Sequence, residues 1–329
     1  MPYTALLSAL SSLPLDGYTS DQREALGTLY EYIEEPSPYA LFLLTGYAGT
    51  GKTFLLRTIA DLAQRAGLRV ELMASTGRAA KVLSASTGRP ASTIHRTIYR
   101  ASTQMQEEGG SFQLGRVSGA TPTLFIVDEA SMISGDTGEM TPFGSGNLLD
   151  DLLSYVWSAD EAKLIFVGDT AQLPPVGTSL SDALNAEILT SRYGLHVYGM
   201  ELCEVVRQKR GGILHNATQL RELLDEYADE DPEEILPIHL ETEGWRGIFP
   251  VEGGTFIETL DEAYRKYGEE ECLVICPSNK LTLECNHAIR SSVLFYEEEP
   301  VVRGERLIVA RNNYHYTKRP DRSDFIANG

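Results

Sequence analysis

A chain of 329 residues with 42% apolar content can bury sizeable cores and should hold about two domains. No run approaches the ~18 consecutive apolar residues of a membrane span, and residues 1–15 lack the basic start of a secretion signal, so a soluble, cytoplasmic protein is expected. The net charge of −19 counts against binding nucleic acid by bulk attraction, because neutralising phosphates takes Lys and Arg.

The first expected element is a helix over residues 19–32. Thr-Ser-Asp opens it, Leu26, Leu29 and Ile33 recur at helical spacing, and Pro36 and Pro38 close it. YALFLLTG (39–46) is a continuous apolar run, which suits a strand buried on both faces of a parallel sheet. A glycine-rich turn follows, then a helix, FLLRTIADLAQRAG, that closes at Gly67. LRVELMAST (68–76) reads as a strand and GRAAKVLSAST (77–87) as a helix. Residues 99–122 are polar and Gly-rich, with SFQL in their middle. TLFIVDEAS (123–131) and AKLIFVGDT (162–170) are two more strands, each running into acidic residues. Strands alternating with helices predict an α/β fold with a doubly wound parallel sheet, whose ligands bind at the carboxyl ends of the strands.

Residues 221–243 hold ten acidic side chains against one Arg, and read as a solvated linker or an exposed helix. ECLVICPSN (271–279) restarts a strand, KLTLECNHAIRSSVL (280–294) a helix, and GERLIVARNNY (304–314) a strand, the opening of an unfinished second α/β unit. The expected organisation is a first domain over 1–220, an acidic linker over 221–250 and an incomplete second domain over 251–329. Residues 303–322 reverse the charge, with six basic side chains against two acidic. A groove that grips a strand needs local basicity rather than a basic total, so the overall charge weakens a nucleic-acid reading without excluding it. The cysteines, Cys203, Cys272, Cys276 and Cys285, lack the CxxC spacing usual in zinc sites, and reduced thiols are the expectation.

Three motifs carry chemistry. Gly46, Tyr47, Ala48, Gly49, Thr50, Gly51, Lys52 and Thr53 match GxxxxGK[ST] between a strand and a helix. The glycines let backbone amides face a β-phosphate, Lys52 reaches the β- and γ-phosphates, and the Thr53 hydroxyl ligates Mg²⁺, which makes ATP and Mg²⁺ the expected cofactors. Asp128 and Glu129 end a strand: one carboxylate meets the Mg²⁺ shell, and the next orients or deprotonates the attacking water. GDTAQLPPV (168–176) follows a further strand, and its Gln172 can hydrogen-bond the γ-phosphate or the water.

The set GYAGTGKT, ASTGRAAK, STIHRTI, VDEAS, GDTAQLPPV and EVVRQ, in that order, resembles superfamily-one DNA helicases of the RecD-like, Dda-like and PIF-type group. The resemblance covers roughly residues 19–329, and GDxxQLPPV is its most specific part. It implies a P-loop NTPase (RecA-like) fold with the start of a second RecA-like domain. Gln22 resembles the Gln that reads the adenine edge, and Arg207 an arginine that contacts the γ-phosphate and balances transition-state charge. Thr76, Gly77 and Arg78 match a loop that holds single-stranded DNA phosphates, and residues 92–98, with His95 among them, a second strand-contacting segment. Pro277, Ser278, Asn279 and Lys280 resemble the loop that grips DNA from the other RecA-like domain, and Asn286 fits the same pattern. Relatives carry a β-hairpin pin at the place of residues 99–122, where Phe112 either presents its ring to the fork or is a surface or core anchor.

The group continues with an SH3-like insertion, a Gln- and Gly-rich motif and a segment ending in Thr-Arg, all lacking here. The chain is therefore read as an N-terminal portion, still binding ATP but hydrolysing it slowly, since loss of an arginine finger costs on the order of 10³-fold or more. The implied activity is an ATP-dependent DNA helicase moving 5′ to 3′, a monomer on single-stranded and forked DNA with no membrane partner. The alternative is an ATP-gated DNA-binding module that no longer unwinds.

Overall fold

A computed structural model describes residues 3–101, 112–133, 135, 143–175, 178, 180–206, 211–227, 238–296, 301–303, 305 and 307. They fall into two units, the first up to residue 206 and the second from residue 211. Among the described residues no helix is long and apolar enough to cross a membrane.

The first unit is the expected doubly wound sheet. Its strands are β1 (Ala40–Gly46), β2 (Arg69–Ala74), β3 (Ala91–Thr93), β6 (Thr123–Asp128), β7 (Ala162–Val167) and β8 (His196–Leu202), in the order β3-β2-β6-β7-β1-β8 and all parallel. A short antiparallel pair, β4 (Tyr99–Ala101) and β5 (Phe112–Leu114), stands apart from it. The apolar runs are continuous because both faces of the sheet are covered. Phe42, Leu44, Leu124, Ile126, Ile165 and Val167 face a layer built by α1 (Thr4–Ser11), α2 (Ser20–Glu34) and α3 (Lys52–Arg65). Their neighbours Leu41, Leu43, Phe125, Val127, Leu164 and Phe166 face a second layer from α5 (Ile94–Ile98), α6 (Leu148–Val156) and α7 (Ala186–Ser191).

Local chemistry sets the helix ends. Thr19 and Gln22 form a reciprocal capping box at the start of α2, and Thr76 caps α4 (Gly77–Thr87), which stops at Gly88 in the left-handed region (φ +68°).

In the second unit, α8 (Gly212–Glu226) starts within the expected first domain and runs into the first residues of the stretch that reads as acidic linker, and α9 (Phe256–Tyr267) and α10 (Asn279–Ser292) follow. The strand expected over 271–279 is not formed: these residues pair with no strand among the described residues, Asn279 already opens α10, and Leu273 and Ile275 are 84% and 88% exposed. A strand holds only where a neighbour takes its N–H and C=O groups. The strand expected over 304–314 lies outside the described residues, apart from Glu305 and Leu307.

Candidate active site

The turn between β1 and α3 carries residues 46–53. Gly46 (φ +150°), Gly49 (+90°) and Gly51 (+94°) bend it through conformations that L side chains rarely adopt. The space is also closed to larger residues. A Cβ on Gly46 would stand 2.6 Å from the Leu202 carbonyl oxygen, and one on Gly51 would strike the Gln22 amide. The Lys52 ammonium donates to the carbonyls of Gly46 (2.5 Å) and Tyr47 (2.9 Å), and the Thr50 hydroxyl donates to Tyr47 (2.8 Å).

Gln22 is 3% exposed, and both ends of its amide are engaged. Its Nε2 donates to the Thr50 carbonyl at 3.1 Å, and its Oε1 accepts from Thr19 N at 3.2 Å. The side chain therefore ties the start of α2 to the phosphate loop. Asp21 does similar work and carries no sequence signal beyond its place in a first helical turn. Its carboxylate accepts the Cys203 and Glu204 amides at 2.8 and 2.9 Å, and these bonds hold its pKa below the usual range. Two residues on, Val206 N donates to the Gly49 carbonyl at 2.9 Å, so the end of β8 is stitched to the loop as well. Arg207 lies outside the described residues.

Asp128 closes β6, two strands from β1 across β7. Burial, then the charge of Glu129, pushes its pKa up to about 6, while Lys52 pulls it the other way. Glu129 occupies the left-handed region (φ +54°, ψ +43°), a conformation a non-glycine residue holds only where its surroundings fix it. Ser131 donates from its hydroxyl to Gln172 Oε1 at 3.1 Å, which joins the loop after β6 to the loop after β7. That second loop is shaped by Asp169, 5% exposed, which accepts the Ala171 amide at 3.0 Å. Lys52, Asp128, Glu129 and Gln172 thus lie at the carboxyl ends of β1, β6 and β7. The Asp128 carboxylate lies close enough to the Lys52 ammonium to feel its charge, a carboxylate of the kind that holds a divalent cation, and the positive-φ glycines suit phosphate oxygens.

The other half of the edge carries the segments assigned to a DNA strand. β2 and β3 pair with Ala74 opposite Thr93, so Thr76, Gly77 and Arg78 lie beside the segment 92–98. Arg78 is exposed, while the Thr76 hydroxyl accepts the Ala79 amide at 3.1 Å as the helix cap. His95 is half-buried, its pKa lowered by burial, with its ring 5.6 Å from Tyr99 and 5.1 Å edge-on to Phe143. Phe112 stacks on Phe143 at 4.6 Å and 23°. Two residues that the sequence treats separately, His95 and Phe112, therefore share one aromatic group. In the second unit, Ser278 caps α10 through Leu281 N (3.2 Å), and Asn279, Lys280 and Asn286 are exposed.

A family model described as an AAA domain matches residues 17–235. The chain belongs to that family. Among its relatives, the ATP-dependent RecD2 DNA helicase of Deinococcus radiodurans is 34% identical over 214 residues, 63% of this chain and 27% of that protein. The ATP-dependent DNA helicase dda of enterobacteria phage T4 is 27% identical over 309 residues, 90% of this chain and 62% of that protein. The resemblance read from the motifs is borne out by both, although the chain spans less than two thirds of either. A crystal structure of the Pif1 helicase from Candida albicans is 19% identical over 82% of this chain and 60% of its own, with a TM-score of 0.39, too low to bear on the assignment.

Proposed function

We propose that the chain is the motor portion of an ATP-dependent DNA helicase, translocating 5′ to 3′ on single-stranded DNA as a cytoplasmic monomer, with forked duplex as its substrate. The observation that carries this reading is the sharing of one sheet edge. The Lys52 loop, the Asp128–Glu129 pair and Gln172 occupy the ends of β1, β6 and β7, and the segments 76–78 and 92–98 occupy the ends of the adjoining β2 and β3. A change at the nucleotide then reaches the strand-contacting segments through the sheet itself.

ATP and Mg²⁺ fit the residues present, with Thr53 and Asp128 to hold the metal. When bound, they supply the phosphoanhydride and the charge neutralisation for its cleavage. Lys52 exchanges the loop carbonyls for phosphate oxygens. Glu129 takes the proton from the attacking water, Gln172 orients that water, and Arg207 is proposed to offset charge on the γ-phosphate. Ser278, Asn279 and Lys280 are the second unit's proposed contribution to strand binding.

The test is ATP hydrolysis with and without oligo-dT, followed by unwinding of a 5′-tailed duplex. Single-stranded DNA should stimulate hydrolysis, and Lys52→Ala should lower the stimulated rate on the order of 10²- to 10³-fold. No stimulation by DNA sinks the reading. Stimulation without unwinding leaves an ATP-gated DNA-binding ATPase.

A further inference from the structure

Asp151 lies in α6, in the layer opposite α2 and α3, and takes no part in the nucleotide site. It is 5% exposed, and among the described residues no Lys, Arg or His forms an ion pair with it. A buried carboxylate without a cation costs stability unless hydrogen bonds hold it. Here its Oδ2 accepts the Tyr99 hydroxyl at 2.7 Å and the Ser145 amide at 2.9 Å. One oxygen thus joins the first residue of β4 to the turn that follows Phe143. The turn is shaped for this approach: Gly144 sits at φ +46°, and a Cβ there would strike both the Asp151 carboxylate and, at 2.7 Å, the Tyr99 ring. Gly144 N also donates to the Phe112 carbonyl at 3.0 Å, which fastens the same turn to β5.

The rings follow from this clamp. Phe143 is their hub, 4.6 Å from Phe112, 5.1 Å from His95 and 5.3 Å from Tyr99. Tyr99 is buried at 6% exposure, whereas His95, Phe112 and Phe143 are half-buried and keep part of their surface in solvent. We propose that Asp151 is a positioning residue: through Tyr99 and the Phe143 turn it holds His95, Phe112 and Phe143 as a preformed surface on which nucleic-acid bases stack. The inference rests on the DNA reading above and adds how the strand is gripped. Stacking is tolerant of sequence and needs no cation, which gives a chain of net charge −19 a way to hold an anionic strand with few phosphate contacts. It also uses a neutral ring at His95, which burial favours.

The experiment measures oligo-dT affinity by fluorescence anisotropy across a salt series, with DNA-independent ATP hydrolysis alongside. Tyr99→Phe removes only the hydroxyl, and Asp151→Asn removes only the charge. Each should weaken binding about fivefold at every salt concentration, leave the slope of log affinity against log salt unchanged, and leave DNA-independent hydrolysis unchanged. Phe143→Ala should weaken binding tenfold or more, since it removes the stacking ring itself. Wild-type affinity in both Tyr99→Phe and Asp151→Asn overturns the positioning role, and wild-type affinity in Phe143→Ala overturns the surface. A shallower salt slope, or hydrolysis that falls in step with binding, overturns it too, because the clamp would then act on phosphate contacts or on the fold at large. Failure of single-stranded DNA to stimulate the wild-type protein is a separate result, and removes the helicase reading beneath it.

Discussion

Two apolar runs of similar composition meet opposite fates in this chain. ALFLLTG becomes β1, hydrogen-bonded to β7 on one side and β8 on the other, with Leu41 and Leu44 fully buried. CLVICP, residues 272–277, leaves Leu273 and Ile275 in solvent and pairs with no strand among the described residues. Both runs have the β-branched or apolar residues that strands favour. The difference lies in the neighbours: β1 is flanked by two strands and covered by two helical layers, and an apolar run cannot supply either for itself.

The largest expected effect is a loss of stability at the buried run. Leu44→Ala deletes a side chain with 0% exposure between α2, α3 and the sheet, and should cost about 3–5 kcal/mol in denaturant unfolding. A cost below ~1 kcal/mol would mean that β1 is not the closed centre of the sheet. The next effect has the opposite sign. With its pKa raised to about 6, Asp128 is charged at pH 7 in the metal-free protein against the pull of its surroundings. That penalty is fully present above pH 6 and gone below its ordinary pKa of 3.8. Asp128→Asn should therefore stabilise the protein in EDTA by about 1–3 kcal/mol at pH 7.5, with a gain that shrinks as pH falls through 6 and vanishes near 4. The same variant should hydrolyse ATP poorly. Unchanged or lowered stability at pH 7.5 would show that burial and the Glu129 charge do not disfavour the ionised Asp128, and would weaken the case for a cation held there.

The same contrast explains what could be read from the sequence. The phosphate loop, the Asp128–Glu129 pair and GDTAQLPP were legible because each motif is contiguous and follows a strand that is apolar throughout. β8 carries little strand signal because it is an edge: HVYGMEL mixes exposed and buried positions, so its pattern is weak. The short helices α1 and α6 are likewise too brief to stand out in the pattern, although α6 supplies Asp151. Residues whose partners are distant in sequence were invisible. Asp21 binds amides 182 and 183 positions away, and Tyr99 binds Asp151 across 52 positions. Nothing local marks such pairs, since each depends on which strands the sheet places side by side. Over-reading had the same root: CLVICP carries a strand's composition, but composition says nothing about its partners.

The smallest expected effect tests that last point. Leu273 has 84% of its surface in water, so truncating it removes little apolar area that folding had buried and leaves no cavity. Leu273→Ala should change unfolding stability by less than ~0.5 kcal/mol, within the range of ordinary surface substitutions. Set beside Leu44→Ala, the same chemical change would then differ about tenfold in cost, with burial as the only variable. A loss above ~2 kcal/mol at Leu273 would mean that the run 272–277 is covered in solution. Its composition would then have been the better guide, and the contrast with β1 would disappear.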